Sequence, residues 1–446
     1  MPLDFLRKVF SEFPQEAAVI HQAEAVSFAG LSGRMEAIRS RLVQQGVPRG
    51  AVVAIESGYS PDAIAMLLAL IEYGAIAVPL APPVGPTRGA LLQLGQVEYR
   101  SSFDLSGVLR IERTDIAAGH QLYKALRSEG HPGLTLFTSG SSGEPKAVVH
   151  DMTRLLRKYH VRRHRLRTML FLLFDHIGGL DTLFQSLSNA CTSVIPRDRT
   201  PESVAATIER HQVQVLPSSP SFLTMLLLSG ANLRHDLSSL RYITYGAEVM
   251  PASTLGLLAR AFPTVKLMQK YGLTELGTLR SQSQANDSLL VRIGGEGFET
   301  RIVDGILQVR AESSMLGYLN APSPFTEDGW FITGDMVEQQ GEFLRIQGRA
   351  SDLINVGGQK VHPSEVESVI HELDNISEVA VSGRPHPFMG QVVIARIVLV
   401  SPEDARELEQ RVRQHCRTRL KPYQVPVQVV LTEGLLHTER DKVTRR

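Results

Sequence analysis

The sequence predicts an α/β protein, with a large amino-terminal domain of stacked, mostly parallel α/β subdomains, a small antiparallel barrel-like unit, and a small α+β domain at the end. Three observations carry this prediction. Helix-like and strand-like segments alternate from Leu31 to Met268, hairpin signals take over from about Val291, and a fresh pattern of helix and strand begins after Gly348-Arg349. At 446 residues the chain exceeds what one core usually supports, and its 43% apolar content suffices for two or three.

Each element has its own warrant. Leu31, Met35, Ile38 and Leu42 recur at helical spacing, and Ala51 to Ile55 reads as a strand. Ser60-Pro61 then opens a helix running through Leu70, and Ala75 to Pro79 is the next strand. Further strands are predicted near Met169 to Leu173, Thr192 to Ile195, Val213 to Leu216, Tyr242 to Thr244 and Lys266 to Met268. Ile302 to Leu307 reads as a tight hairpin over Asp304-Gly305, and Val337 to Ile346 as a second around Gln340-Gly341. Beyond them come a helix over 363–373, strands near Val379 and over 392–400, and a charged helix over 402–420. The predicted division is 1–348, a short hinge at 349–352, and 353–446, with no Pro/Gly-rich linker between.

Charge and cysteine usage narrow the class. Lys plus Arg number 47 against 46 Asp plus Glu, which leaves no global field for nucleic acid or an anionic membrane. The exception is local, Arg154 to Arg167, expected as the solvated face of a helix. Cys191 and Cys416 are far apart and lack metal-ligand spacing, so neither a disulfide framework nor a zinc site is indicated. The start Met1-Pro2-Leu3-Asp4 lacks signal-peptide order and no apolar run reaches membrane-spanning length. A cytoplasmic protein, monomeric or homodimeric, is expected.

The most informative segment is Leu134 to Lys146, where an apolar strand empties into Thr138-Ser139-Gly140-Ser141-Ser142-Gly143 and is closed by Lys146. Glycines let backbone N–H groups approach an anion, the hydroxyls add donors and the lysine adds charge, so the loop suits phosphate. A nucleoside-triphosphatase P-loop needs Gly-Lys-Ser/Thr running directly into a helix, whereas Glu144-Pro145 intervenes here. A second signal is Gln269-Lys270-Tyr271-Gly272-Leu273-Thr274-Glu275: Tyr271 can stack on a base, Gly272 admits close backbone, Thr274 can donate to phosphate, and Glu275 can hold Mg²⁺. In Thr333-Gly334-Asp335 the carboxylate suits a ribose diol, and Arg349 can reach the same sugar or phosphate.

With these motifs stand Gly246-Ala247-Glu248, Gly317-Tyr318, Gly329 to Asp335, Gly348-Arg349, Gly357 to Glu367 and Lys442. Together, in this order, they resemble the adenylate-forming superfamily of acyl- and aryl-CoA ligases, peptide-synthetase adenylation domains and luciferases. The resemblance implies a two-step reaction. A carboxylate attacks the α-phosphate of ATP to give acyl-AMP and pyrophosphate, and a thiol then displaces AMP. Joining the carboxylate to AMP neutralises an anionic, poorly electrophilic group and supplies a leaving group. By resemblance the nucleotide is held by the phosphate loop, Gly246, Ala247, Glu248, Tyr271, Gly272, Thr274, Glu275, Asp335 and Arg349, with Mg²⁺ at Glu275 and Thr138. Lys442 bridges the attacking carboxylate and the ribose side of ATP, a contact whose removal costs on the order of 3–4 kcal/mol in the first step. Thr138, Glu275, His176 and Lys442 form the implied catalytic set.

The resemblance also implies a mobile carboxy-terminal lid that presents Lys442 for adenylation and then the loop Gly357-Gly358 as a tunnel for a pantetheine arm. Its pivot falls at Ser351, beside Asp352, where the family usually has Asp or Lys. Leu436 and Asp441 stand where proline and glycine are usual before the lysine, and the neighbouring carboxylate favours a charged Lys442. About fifty residues separate Pro79-Leu80-Ala81-Pro82 from the phosphate loop, which implies a trimmed first subdomain.

Leu173 to Leu180 resembles the His-Ile-x-Gly-Leu stretch bordering the acyl pocket of CoA ligases, which places His176 at the carboxylate end. A competing register puts Phe174-Asp175 on the pair that binds the amine in amino-acid-activating relatives. Ile177, Gly178, Ser218, Tyr245, Gly246, Leu273 and Leu279 are expected to shape the rest of the pocket. The acceptor thiol belongs to CoA or to a carrier protein supplied in trans, which the basic 154–167 segment would meet. The departures at Ser351, Leu436 and Asp441 motivate another class, a nucleotide-binding member without turnover.

Overall fold

The computed structural model describes residues 2–22, 24–82, 87–104, 107–139, 144–295 and 297–432. Two seven-stranded sheets dominate the amino-terminal part. One runs, in spatial order, Lys266–Gln269, Tyr242–Tyr245, Val215–Ser218, Thr168–Met169, Ser193–Ile195, Ala17–His21 and Glu24–Ser27. All its pairs are parallel except the last. The other runs Gly317–Tyr318, Pro145–Asp151, Gly133–Ser139, Ile76–Leu80, Val52–Glu56, Tyr99–Phe103 and Leu109–Arg113, parallel in its centre and antiparallel at both ends.

One apolar core joins the sheets. It takes Val19, Leu170 and Ile195 from the first, Val53, Ile55, Ala77, Leu134 and Leu136 from the second, and helices between them. Helix Pro61–Tyr73 shows why. Ser60 Oγ accepts from the N–H of Ala63, Pro61 sits in the first turn, and Gly74 ends the helix at φ +82°. From Ala63 to Ile71 every residue is fully buried, as a helix apolar on all faces must be. Each large side chain so buried contributes about 1.5–3 kcal/mol.

The predicted antiparallel unit is a six-stranded sheet in the order Ser281–Ser283, Leu290–Ile293, Phe343–Arg349, Phe331–Gln340, Ile306–Ala311 and Phe298–Val303. Its tight hairpin turns at Asp304-Gly305, both with positive φ (+51° and +76°), which matches the right-handed twist of the strands. The second hairpin turns one residue later than expected, at Gly341-Glu342.

The carboxy-terminal part is a five-stranded sheet of Gln359–Val361, Ile354–Val356, Gly390–Leu399, Ile376–His386 and Gln428–Leu431, with helices Pro363–Ile370 and Ala405–Arg417 packed on it through Val366, Ile370, Leu408 and Val412. No helix among the described residues is long and apolar enough to cross a membrane.

The basic segment departs from expectation. Only Met152–Leu155 is α-helical, followed by a 3-10 turn at Arg157–Tyr159 and irregular chain. Its cations turn back on the protein. Lys158 pairs with Asp181 (2.5 Å), Arg165 with Glu16 (3.3 Å), Arg157 with Glu312 (3.6 Å) and Arg162 with Glu12, while Arg167 donates to the His211 carbonyl (2.9 Å). The segment is largely exposed, as expected, but it is irregular chain tied down by charge pairing, which periodicity does not report, and not a helical face.

Candidate functional site

The phosphate-type loop joins two antiparallel strands, Gly133–Ser139 and Pro145–Asp151, in which Thr138 lies opposite Lys146 and Ser139 opposite Pro145. No helix follows directly, in keeping with the exclusion of a P-loop. Gly140, Ser141, Ser142 and Gly143 lie outside the described residues, as do Leu436, Asp441 and Lys442. Thr138 and Lys146 border a cleft of about 910 Å³, and the Lys146 ammonium sits 5.2 Å from the Tyr318 ring centroid.

Around that cleft the distant motifs meet. Tyr271 donates to Asp335 Oδ2 at 2.6 Å, and Arg349 Nε contacts Asp335 Oδ1 at 2.8 Å. Another Arg349 nitrogen donates to the Thr333 carbonyl (2.5 Å), and Thr333 Oγ1 donates to the Leu307 carbonyl (2.7 Å). Burial pushes the Tyr271 phenol well above its ordinary range, reinforced by the Asp335 charge, so it stays a donor. Burial also pushes the Asp335 carboxyl up, opposed by Arg349 and by the Tyr271 hydrogen bond. Glu275 Oε1 accepts from the Tyr318 hydroxyl (2.7 Å), and the Glu275 carboxylate borders the cleft with Thr138. His150, fully buried, donates through Nε2 to the Thr274 carbonyl (2.6 Å) and so fixes the loop that carries Thr274 and Glu275. Burial lowers the His150 pKa, which keeps the ring neutral.

Gly246-Ala247-Glu248 follows strand Tyr242–Tyr245 at the same cleft. A Cβ at Gly246 would lie 2.5 Å from the Lys270 carbonyl oxygen, so only glycine lets the two strand ends approach. Ala247 holds φ +70°, a left-handed conformation costly for a residue with a Cβ. Glu248 Oε2 accepts from the backbone and hydroxyl of Ser221 (3.1 and 2.6 Å), which ties this turn to the start of helix Pro220–Leu228.

His176, Ile177, Gly178, Ser218, Tyr245 and Leu273 also border the cleft. His176 is the N-cap of helix Ile177–Ser188, its Nδ1 accepting from the Gly178 N–H at 3.1 Å, so the neutral ring carries its proton on Nε2. Phe174 instead packs in the core, 5.1 Å from the Tyr59 ring, and Asp175 is buried away from the cleft lining. Leu279 is a correction: it is buried with Leu276, Val291 and Phe298 in the core of the antiparallel unit and does not line the cleft. It follows the short strand Gly277–Thr278 and packs into that core, while Thr278 borders the cleft.

Sequence reasoning missed the far end of this cleft. Helix Ile177–Ser188 and the residue after it present Gly178, Asp181, Thr182, Gln185, Ser186 and Asn189 to the cavity, at spacings of three and four. That pattern reads in sequence as an ordinary solvated face; here it is turned inward, with Ser186 and Asn189 buried. Lys270 and Arg163 border the same end. Burial pushes the Lys270 amine below the usual lysine range, Asp181 opposes this, and Arg163 and Lys158 reinforce it.

From the carboxy-terminal part, His362, Ser364, Glu367, Ser377 and Glu378 border the cleft, and Ser364 Oγ donates to the Gln347 carbonyl (2.7 Å). Ser351 and Asp352 occupy a 3-10 turn directly after Arg349 and line the cleft. Gly357 and Gly358 do not: they form an exposed hairpin turn at φ +57° and +87°, with Gly357 N–H donating to the Met389 carbonyl (2.7 Å). The arrangement that would bring them to the cleft is not the one in this structure.

Comparison with known proteins meets this geometry. A family model described as AMP-binding enzyme matches residues 6–306, and one described as AMP-binding enzyme C-terminal domain matches 365–442. Indoleacetate–CoA ligase of Aromatoleum aromaticum is 28% identical, the match covering 97% of this chain and 94% of that protein. A 2-succinylbenzoate–CoA ligase of Listeria monocytogenes is 26% identical, covering 99% and 98%. Among solved structures, an anthranilate CoA ligase in complex with anthranoyl-AMP superposes with a TM-score of 0.84 at 20% identity, covering 100% of this chain and 95% of that one. The o-succinylbenzoate CoA synthetase of Bacillus subtilis with its acyl-adenylate gives 0.80 at 24% identity, covering 99% and 97%.

Proposed function

The chain belongs to the AMP-binding enzyme family, within the adenylate-forming superfamily, and on that premise we propose that it activates a carboxylic acid as its adenylate and passes the acyl group to the thiol of CoA. It is an AMP-forming acid–thiol ligase. The observation that carries the proposal is the convergence on one cleft of Thr138, Lys146, Tyr271, Glu275, Asp335 and Arg349 with His176 and Gly246. Their chemistry suits the reaction. Bringing an anionic carboxylate to an anionic triphosphate needs cations and donors at the displacement, and Lys146, Arg349 and, in our reading, Lys442 supply the cations. Asp335, held by Tyr271 and Arg349, presents a fixed acceptor for a ribose diol. Glu275 and Thr138 offer oxygen donors of the kind a hard cation takes, and Mg²⁺ there would neutralise phosphate charge. His176, protonated on Nε2, is placed to hold the carboxylate end of the acid.

Asp175 lies away from the cleft lining, which supports an acid without an α-amine over an amino acid. The acceptor is read as free CoA because most cations of the 154–167 segment are engaged within the chain, weakening the case for an acidic carrier protein docked there. We further place the division into 1–348 and 353–446 at a pivot of Ser351 and Asp352, with Lys442 serving adenylation.

The test is carboxylate-dependent pyrophosphate release from ATP over a panel of aromatic and aliphatic acids, repeated with CoA and with a holo carrier protein. Lys442→Ala should cut release by roughly two to three orders of magnitude while thioester formation from supplied acyl-AMP largely survives. ATP binding without release for any acid would favour the non-catalytic reading, and equal loss of both steps in Lys442→Ala would overturn the role given to that lysine.

A further inference from the structure

The far end of the acyl cleft carries a charge imbalance that an apolar acid would leave unused. Asp181 lines this cleft but is already engaged, accepting from Lys158 Nζ at 2.5 Å and from the Tyr159 hydroxyl at 2.7 Å. Lys270 and Arg163 line the same cleft, and Asp181, already paired with Lys158, does not neutralise them. Among the described residues neither the Lys270 ammonium nor the Arg163 guanidinium has a hydrogen-bond or ion-pair partner. The remaining walls are polar: Thr182, Gln185 and Asn189. A protein rarely keeps a partly buried, unpaired lysine on a cavity wall without an anion to meet it, because the cost of partly dehydrating the ammonium is then left uncompensated.

Resting on the ligase reading above, we propose that Lys270, with Arg163 at the outer edge, forms an anion subsite that selects a carboxylic acid bearing a second anionic group. The substrate class is a dicarboxylate or an acid with an equivalent anionic substituent, bound with one carboxylate towards His176 and the nucleotide and the other against Lys270. Lys270 immediately precedes Tyr271, and its carbonyl abuts Gly246, so one strand end joins the two halves of the cleft. The charge at Lys270 thereby acts on which acid is seated, and the groups around Asp335 act on the nucleotide.

The experiment uses the full chain and matched pairs of acids: glutarate, adipate, isophthalate and terephthalate, each against its monomethyl ester, with pyrophosphate release as readout. The wild type should prefer the free diacid of at least one pair. Lys270→Met should lower the ratio of kcat/KM for that diacid to kcat/KM for its monoester by about tenfold or more, through KM, and Lys270→Arg should restore most of it. A wild-type preference for the monoesters throughout, or a ratio unmoved in Lys270→Met, would overturn the subsite while leaving the ligase reading intact. Release with other acids of the wider panel but with none of these diacids would overturn the subsite alone, and absence of release with the whole panel would overturn the ligase reading and the subsite with it. The wild-type comparison decides the matter even if a variant does not fold.

Discussion

Single residues in this protein show how burial converts ordinary side chains into specific tools. Tyr271 and Asp335 are 64 positions apart, yet one hydrogen bond of 2.6 Å fixes both, and Arg349 closes the set from the strand paired with that of Asp335. Residue type alone suggested these roles; contact made them one unit. Lys270 is the opposite case, a residue within a motif whose meaning came only from its surroundings. Its folded pKa is lowered below the ordinary 10.5 by burial. Folding therefore carries a cost wherever the amine is protonated, fully present below the folded pKa and fading as pH rises towards 10.5. Lys270→Met should raise stability at neutral pH by about 1 kcal/mol, the scale of relieving a buried polar group without a partner. The gain should shrink as the pH approaches 10.5, with Asp181, Lys158 and Arg163 as the other charges facing the site. Urea unfolding of both proteins at pH 7 and pH 10 checks this; an equal difference at the two values would contradict it.

At the scale of elements, the acyl cleft depends on how helix Ile177–Ser188 begins. His176 caps it, and a Cβ at Gly179 would lie 2.1 Å from the Leu173 carbonyl oxygen, so the chain entering the helix folds closely against its first turn. Gly179→Ala must move that turn and His176 with it. We expect a loss of about 1–3 kcal/mol of stability together with a raised KM for the acid and a nearly unchanged KM for ATP. Thermal melts and steady-state kinetics read the two effects separately, and an equal rise in both KM values would mean that the whole cleft, not the helix entry, is disturbed. Helix periodicity was readable in the sequence because apolar residues recur at regular spacing; the inward turn of its polar face was not, since spacing alone does not say what covers a face.

At the scale of the whole molecule, one cleft is bordered by both amino-terminal sheets, the antiparallel unit and the carboxy-terminal part. Gly357-Gly358 stands outside that cleft, so a tunnel for pantetheine requires the carboxy-terminal part to move relative to the rest. Both glycines hold left-handed backbone, and Gly358→Val would strain the turn without touching the nucleotide contacts. The expected outcome is slowed thioester formation with pyrophosphate release from ATP and acid preserved. Single-turnover measurement of each step checks it, and a matching loss in adenylation would count against a rotating lid.

The sequence by itself determined the α/β class, the antiparallel insertion, the order of the motifs and, through them, the family, because turn chemistry, glycine requirements and apolar periodicity are local and survive in one dimension. It also identified Leu279 as a pocket residue and 154–167 as a helical face, and both readings yielded to packing: burial in the core of the antiparallel unit decided the first, and irregular chain held by ion pairs with distant acids the second. Only the tertiary structure decided that Asp175 faces the core, that a polar helix face and Lys270 line the far end of the cleft, and that Asp181 is already paired. The physical reason is that burial and electrostatic balance are sums over neighbours from separate parts of the chain, and no segment carries its neighbours with it.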